Sequence, residues 1–228
     1  MSAAFGFGFD PIGNDYKVVR IAHFCSNKVR DSEVYSANTN EWRNVRPFHP
    51  EYVNIPEYRD YDFQVPEDFP EYNQFDVCVN GILCCLGFYG ILAFDLNNEV
   101  FTTRNLLPAR SSDYCFTDFS DFIAVITYNK EKERNYIFNL WTLNDEACLR
   151  GGGGGGVEAS WTLKLSIDVQ YPDPRVWGCF NCGDFVLCTE DDDCLLYNSH
   201  KKEARIVPVS IIISRRIFKY NESLVSIT

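Results

Sequence analysis

The chain has 228 residues, of which 46% are hydrophobic and 15% aromatic, and its formal net charge is −11. This composition excludes whole-chain disorder, because disordered segments are poor in aromatic residues, and it supplies enough apolar side chains for one sizeable core. The negative charge disfavours nucleic acid and anionic membrane surfaces as partners, since both require a basic footprint. It favours a cationic partner, or it serves simply for solubility. No apolar run reaches the roughly 18 residues of a membrane-spanning helix.

The ten cysteines admit two interpretations. An even number is compatible with a disulfide framework in a secreted protein. However, residues 1–17 contain no basic segment before their apolar stretch, and glycines interrupt that stretch, so they do not resemble a secretory signal. We therefore expect reduced thiols and a cytoplasmic protein.

The predicted elements are short β-strands. Apolar or alternating runs, bounded by turn formers such as Asn-Asp, Asn-Gly and Gly-Asp, predict strands, and no long stretch has the periodicity of an amphipathic helix. In chain order the predicted strands cover residues 16–21, 32–36, 77–86, 91–95, 122–128, 136–143, 160–167, 185–188, 194–197 and 206–213. Many short strands predict a sandwich, a barrel or a propeller.

A weak internal repeat decides among these folds. Four predicted hairpins carry a large aromatic residue in their first strand, and these anchor residues recur at intervals of 47 to 59 residues: Tyr35, Phe94, Trp141 and Tyr197. Kelch-type propeller blades repeat about every 50 residues. We therefore predict one domain, residues 1–228, with an all-β, kelch-like β-propeller fold. The propeller is complete or incomplete, and its blades are four-stranded or hairpin-based.

Residues 51–76 form a second conspicuous segment, with eight acidic residues, seven aromatic residues and a single arginine. Aromatic side chains supply contact area in protein interfaces, and carboxylates attract a basic partner. The segment is either a binding surface for a basic protein or a solvated connection between blades. The candidate partner-binding residues are Glu57, Tyr58, Asp60, Tyr61, Asp62, Glu67, Asp68, Glu71 and Tyr72.

The sequence contains few signs of catalysis or of a cofactor. The three histidines are scattered, and Cys179-Phe-Asn-Cys182 is a single Cys-x-x-Cys where structural zinc usually requires two such pairs. The acidic run Glu190–Asp193 lacks the glycine of a calcium loop. Gly151–Gly156 lacks the Lys-Ser/Thr of a phosphate-binding loop, so we interpret it as a solvent-facing hairpin tip, natural or artificial in origin. We expect no metal, no cofactor and no enzymatic activity. A propeller hydrolase with paired carboxylates in a central funnel is the alternative from a different class.

An ordered series of segments extends along nearly the whole chain. The series consists of Phe5–Ile21, Glu33–Val45, Val79–Gly81, Ile91–Phe101, Leu140–Thr142, Ser160–Thr162, Leu195–Asn198 and Tyr220–Ser226. Together these segments resemble the F-box-associated interaction domain of plant F-box proteins, and within that family the S-locus F-box and S-locus F-box-like group. No single segment is specific, but their order is.

The resemblance implies a substrate receptor of an SCF-type E3 ubiquitin ligase. In that family an F-box docks the Skp adaptor of a cullin-based ligase, and the associated domain captures the target. These 228 residues show no F-box, so Skp and cullin would be reached only through one outside them. The resemblance also implies that the part of the first blade that precedes the opening signature is missing, so we expect an N-terminally incomplete domain over residues 1–228. For the S-locus group the implied target is a pistil S-RNase, a basic protein recognised in pollen during gametophytic self-incompatibility. The alternative within the binding class is a generic F-box-associated module with another cytosolic target.

Overall fold

The computed structural model describes residues 2–23, 32–45, 75–87, 90–104, 107–108, 113–132, 135–150, 160–170, 174–180, 183–189 and 193–207. These residues form sixteen β-strands and one 3-10 turn, Glu146–Leu149. The first eight strands are β1 (Ser2–Asp10), β2 (Asp15–His23), β3 (Ser32–Ser36), β4 (Glu41–Val45), β5 (Val77–Val79), β6 (Ile82–Gly87), β7 (Gly90–Asp95) and β8 (Val100–Arg104). The remaining eight are β9 (Asp113–Phe119), β10 (Phe122–Lys132), β11 (Asn135–Leu143), β12 (Trp161–Gln170), β13 (Arg175–Phe180), β14 (Asp184–Cys188), β15 (Cys194–Asn198) and β16 (Glu203–Val207). The described part of the chain contains no helix that could cross a membrane.

The strands form four four-stranded antiparallel sheets, each built from four consecutive strands. We name them sheet A (β1–β4), sheet B (β5–β8), sheet C (β9–β12) and sheet D (β13–β16). In every sheet the spatial order of the strands follows the chain, as expected for strands joined by short hairpin turns. The predicted all-β fold with four-stranded blades is therefore confirmed.

The chain divides into two compact units, each with its own core. Unit 1 comprises Met1–Pro108, Asp121–Ile123 and Leu143–Trp161, and unit 2 comprises the remainder. In unit 1 sheet A packs on sheet B through Ala4, Val19, Ile21, Val34, Phe75, Leu83, Cys85, Phe94 and Leu96. In unit 2 sheet C packs on sheet D through Ala124, Ile126, Tyr136, Phe138, Leu140, Ile167, Val169, Val176, Cys179, Phe185, Leu187, Leu195 and Tyr197.

Four hairpins share one four-residue turn. They join β1 to β2, β3 to β4, β7 to β8 and β15 to β16, and the last residue of each turn has a positive φ of 47–56°: Asn14, Asn40, Glu99 and Lys202. The residue before each turn accepts a backbone N–H from within the turn through its side-chain oxygen, and these acceptors are Asp10, Ser36, Asp95 and Asn198. Such local bonds are what make Asp, Asn and Ser good turn residues.

This shared turn explains the aromatic repeat. Because each turn has four residues, an anchor aromatic lies opposite the residue seven positions later. Tyr35 pairs with Trp42, Phe94 pairs with Phe101, and Tyr197 pairs with Ala204. In the fourth hairpin, β11 and β12 are neighbours as predicted, and the glycines 151–156 between them lie outside the described residues.

Several predicted strand boundaries are wrong. The single strand predicted over 77–86 is two strands, because Asn80 and Gly81 both have positive φ and form a two-residue hairpin turn between β5 and β6. The strand predicted over 206–213 begins earlier, at Glu203, and residues 208–213 lie outside the described part. The prediction also missed β1, β9 and β13.

Strand β1, which was not predicted, alternates exposed phenylalanines with glycines that face the core. Phe5, Phe7 and Phe9 are exposed on one face, while Gly6 and Gly8 point to the core face. A β-carbon on Gly8 would lie 2.4 Å from the Cys78 sulfur and 2.8 Å from a Leu96 methyl group. The glycines therefore allow sheet B to approach the backbone of β1 closely.

Replacement of Gly8 by alanine is expected to destabilise unit 1 by about 1–3 kcal/mol, because the added methyl group overpacks this contact. Urea unfolding followed by tryptophan fluorescence measures the change. Shortening the opposing side chain in the Gly8→Ala, Cys78→Ala double variant should recover part of the loss. A Gly8→Ala protein as stable as the parent would show that the two sheets do not pack this closely.

Candidate protein-interaction surface

A buried lysine links the turns of sheets A and B. Lys17 on β2 has a side chain that is only 7% exposed, and its ammonium group lies 3.0 Å from Asp10 Oδ2 and 3.1 Å from Glu99 Oε1. It also donates a 2.6 Å hydrogen bond to the backbone carbonyl of Leu96. Asp10 ends β1, and Leu96 and Glu99 lie in the β7–β8 turn, so one cation ties two hairpins of different sheets together.

Arg43 extends this network to the surface. It lies on β4 and forms a two-pronged ion pair with Glu99, in which Nε lies 2.7 Å from Oε2 and Nη2 contacts Oε1. Glu99 adopts a positive φ of 56°, an unusual conformation for a non-glycine residue. The two cations on its carboxylate help to hold that conformation in place.

The network shifts two carboxyl pKa values. Burial alone would raise the pKa of Asp10, but hydrogen bonds from the Gly13 amide, the Lys17 ammonium and the Ile12 amide outweigh it, and the pKa is lowered. The pKa of Glu99 is likewise lowered, because its bonds to Arg43 and Lys17 exceed the effect of its burial. Both groups are therefore carboxylates in the folded protein over the neutral and mildly acidic range.

A second polar cluster lies beside the β5–β6 turn. The Asn80 amide nitrogen lies 3.2 Å from the Asp121 carbonyl oxygen and 3.2 Å from both carboxylate oxygens of Glu146. The Arg150 guanidinium donates to the Asn80 carbonyl at 2.9 Å and lies 3.7 Å from Asp95. Burial raises the pKa of Glu146, which is partly offset by its bond to Asn80.

These contacts join the turns of unit 1 into one surface, which we call the turn surface. It is made of residues 11–14, 37–40, 80–81 and 96–99, together with residues 121 and 144–146. Asn38 donates to the Asn14 carbonyl and Leu96 donates to the Gly81 carbonyl, so adjacent turns are hydrogen-bonded. The exposed side chains on this surface are Pro11, Ile12, Asn14, Asn38, Thr39, Asn40, Asn80, Asn98, Asp121, Asn144 and Asp145. The turn surface is thus a fixed, amide-rich patch with an excess of carboxylates.

The exposed face of sheet A is a different kind of surface. Phe7 is 64% exposed and Trp42 is 50% exposed. The ring of Phe7 stacks on Tyr16 with centroids 5.8 Å apart, and the ring of Phe9 lies tilted against Tyr16 at 5.0 Å. In the other two sheets with this hairpin register, the corresponding anchor face is covered by the preceding sheet. Phe94 is buried against sheet A, and Tyr197 is buried against sheet C. The aromatic face of sheet A therefore corresponds to the face through which sheets B and D pack against the sheet that precedes them. For this reason the turn surface is the better candidate for binding a target.

The residues predicted from sequence as the partner site lie outside the described residues. This applies to Glu57, Tyr58, Asp60, Tyr61, Asp62, Glu67, Asp68, Glu71 and Tyr72, which therefore stay a prediction. Of the Cys-x-x-Cys pair only Cys179 is described, and it is buried in the core of unit 2. Within the described ranges no three His, Cys, Asp or Glu side chains are grouped to hold a metal ion.

The turn surface is not among the sites predicted from the sequence. Its signal is nevertheless visible in the sequence, because a polar acceptor stands before each four-residue turn, as in Asp10-Pro-Ile-Gly-Asn-Asp15 and Asp95-Leu-Asn-Asn-Glu-Val100. In both segments this pattern predicts a turn of the same geometry. The sequence does not show that these turns lie next to one another, because their positions depend on how sheet B packs against sheet A.

Four-stranded antiparallel meanders with an aromatic hairpin repeat and polar turns are typical of a β-propeller-type binding domain. The sequence model of the F-box associated beta propeller domain family matches residues 2–226 of the chain. The chain therefore belongs to this family, and the predicted propeller class and F-box-associated domain are confirmed. No curated protein is significantly similar to the chain.

Proposed function

We propose that this chain is the target-recognition domain of an SCF-type E3 ubiquitin ligase, acting in the cytoplasm. The observation that carries this proposal is the family match over residues 2–226. The domain binds its target non-covalently and presents it for ubiquitin transfer by other subunits, so it needs no catalytic residues of its own. An F-box provides the connection to the Skp adaptor and cullin.

The turn surface supports binding to a basic target. Asp121, Asp145 and Glu146 lie together beside the guanidinium of Arg150, and the whole chain carries a net charge of −11. Complementary charge accelerates association and selects among partners. The amides of Asn14, Asn38, Asn40 and Asn80 offer donors and acceptors, and asparagine is well suited to adaptable hydrogen bonding in binding loops.

The finer proposal is that the target is an S-RNase-type ribonuclease of the pistil. It rests on the resemblance of the sequence to the S-locus group and on the basic character of those ribonucleases. The acidic and aromatic segment 51–76 supports the same type of partner, because it combines steering carboxylates with aromatic contact area.

The purified chain is expected to retain a basic S-RNase-type ribonuclease from pistil extract, with an affinity that falls as salt is raised. The Asp121→Asn, Asp145→Asn double variant should weaken the complex roughly two- to thirtyfold, since two exposed charge pairs contribute about 0.2–1 kcal/mol each. Surface plasmon resonance at low and high salt measures both effects. The variants Glu57→Gln, Asp60→Asn and Asp62→Asn test segment 51–76 in the same way.

A matched control removes the same charge elsewhere. Asp168 and Glu203 are exposed on strands of unit 2, and the Asp168→Asn, Glu203→Gln double variant should bind like the parent. If the ribonuclease is not retained but another basic protein is, the S-RNase proposal is wrong and the recognition-domain proposal stands. If the turn-surface variant binds every partner as tightly as the control variant does, the turn surface is not the site.

A further inference from the structure

Two cysteines face each other across the β14–β15 hairpin of sheet D. Cys188 is the last residue of β14, Cys194 is the first residue of β15, and the two are direct register partners. Both are present as thiols, and both residues are only 3% exposed. They form the last strand pair before the acidic turn that begins at Thr189.

The hydrogen-bond pattern defines the geometry of this pair. The Thr189 amide donates to the Asp193 carbonyl at 3.0 Å, and the Ser199 amide donates to the Gly183 carbonyl at 2.9 Å. Because hydrogen-bonded and non-hydrogen-bonded pairs alternate along an antiparallel ladder, both bonds place Cys188 and Cys194 in a non-hydrogen-bonded pair. The Cα atoms of such a pair lie roughly 4.5 Å apart, with the side chains on the same face.

That separation falls within the range that a disulfide requires. Disulfide-linked cysteines have Cα atoms about 4.4–6.8 Å apart. The row that contains the two thiols continues on both sides, with Arg175 of β13 opposite Cys188 and Val207 of β16 opposite Cys194. Arg175 is exposed, so this end of the row borders solvent.

We propose that Cys188 and Cys194 are a reversible redox pair that forms a cross-strand disulfide on exchange with a low-molecular-weight disulfide such as oxidised glutathione. One cysteine thiolate attacks a glutathione sulfur and releases one glutathione thiolate. The second cysteine then attacks the mixed disulfide and releases the other. The two cysteines are oxidised, one glutathione disulfide is reduced to two glutathione molecules, and the protons of the two cysteines pass to the released thiolates.

The reduced pair is the resting state in a reducing compartment. Burial raises the pKa of Cys194, and the neighbouring Cys188 raises it further, so the thiol is protonated at neutral pH. The Cys188 thiol also donates to the Thr189 carbonyl at 3.5 Å. Oxidation is therefore expected to accelerate as the pH rises toward the alkaline range, because the thiolate is the attacking species.

Peptide mapping of the whole chain tests the proposal. The reduced protein is equilibrated in glutathione buffers of increasing oxidised fraction, and remaining thiols are alkylated. The chain is then cleaved by a Glu-specific protease, which cuts after Glu190 and so separates Cys188 from Cys194. Chymotrypsin is added next, because cleavage after Phe180 and Phe185 separates Cys188 from Cys179 and Cys182. A linked pair of peptides carrying these two cysteines is expected to accumulate as the buffer becomes more oxidising. It should disappear again on addition of dithiothreitol.

Variants give the matched control. Cys188→Ser and Cys194→Ser should each abolish the linked peptides, while Cys148→Ser should leave them unchanged, since Cys148 lies in unit 1. The mapping of the parent chain needs no variant and so decides the matter even if a variant fails to fold. Alkylation of both cysteines at every glutathione ratio, a stable glutathione adduct alone, or bonds only to Cys179 or Cys182 would overturn the proposal.

Discussion

Replacement of Lys17 by methionine is expected to lower the free energy of unfolding of unit 1 by about 3–5 kcal/mol, the cost of removing one partner from a buried ion pair. Methionine keeps most of the length of the side chain but removes the ammonium group. Asp10, which is 1% exposed, then loses its bond to Lys17, and the carbonyl of Leu96 loses its donor. The loss is large because the remaining carboxylate stays buried without its cation.

Urea unfolding of matched variants measures this effect. Arg43→Met removes a cation from the same network, but the Arg43 side chain is 45% exposed, so its loss should cost less than about 1 kcal/mol. Adding Asp10→Asn to Lys17→Met should recover part of the stability, because the uncompensated charge is gone. If Lys17→Met were no more harmful than Arg43→Met, the buried network would not hold sheets A and B together.

The same network predicts a pH dependence. The pKa values of Asp10 and Glu99 are lowered in the folded state, so the unfolded chain binds protons more readily than the folded one. Their stabilisation is complete above the unfolded values of about 3.9 and 4.3, and it is lost as the pH falls through the lower folded values. Stability of the parent should therefore decline below about pH 4, and that decline should be smaller in the Asp10→Asn variant. An identical acid decline in both proteins would contradict the assigned contacts.

Local patterns in the sequence predicted most strands of the sheets, because the alternation of apolar and polar residues and the bounding turn residues lie within each strand and its ends. Tyr35, Phe94 and Tyr197 marked the third strand of three sheets, and each lies where the hairpin register requires. The β1 strand was missed because glycine disfavours strands in isolation. Gly6 and Gly8 are explained only by the side chains of sheet B that press against them, and this is information about tertiary packing.

The same limit applies to the candidate site. Lys17 reads as an ordinary charged residue in an alternating strand, yet it is buried because Asp10, Glu99 and a carbonyl from the neighbouring hairpin surround it. These contacts join positions that are far apart in the chain, so no local pattern could reveal them. By contrast, the proposal of a basic partner rests on the net charge of −11, which is read directly from the sequence.

The anchor residues of the repeat differ in burial although they occupy equivalent positions. We therefore expect their replacement to change stability by different amounts. Phe94 and Tyr35 occupy the same position in sheets B and A, but Phe94 is fully buried against sheet A, whereas Tyr35 is only half-buried on the aromatic face of sheet A. Phe94→Ala should therefore destabilise unit 1 by about 3–5 kcal/mol, the usual cost of removing a buried phenyl ring. Tyr35→Ala should cost about 1–2 kcal/mol, since it loses the ring contact with Trp42, 5.5 Å away, and an exposed hydrogen bond from its hydroxyl to Asn40.

Chemical denaturation of both variants decides the comparison, with Ile12→Ala in the exposed β1–β2 turn as a control that should leave stability unchanged within about 0.5 kcal/mol. A much larger loss of unfolding free energy in Phe94→Ala than in Tyr35→Ala would show that sheet A covers the Phe94 face of sheet B, while the aromatic face of sheet A faces solvent. Equal costs would mean that the Tyr35 face is covered in solution, as Phe94 is. In that case the aromatic face would already be used for packing, which would leave the turns as the part of the sheet A repeat that is free to bind a target.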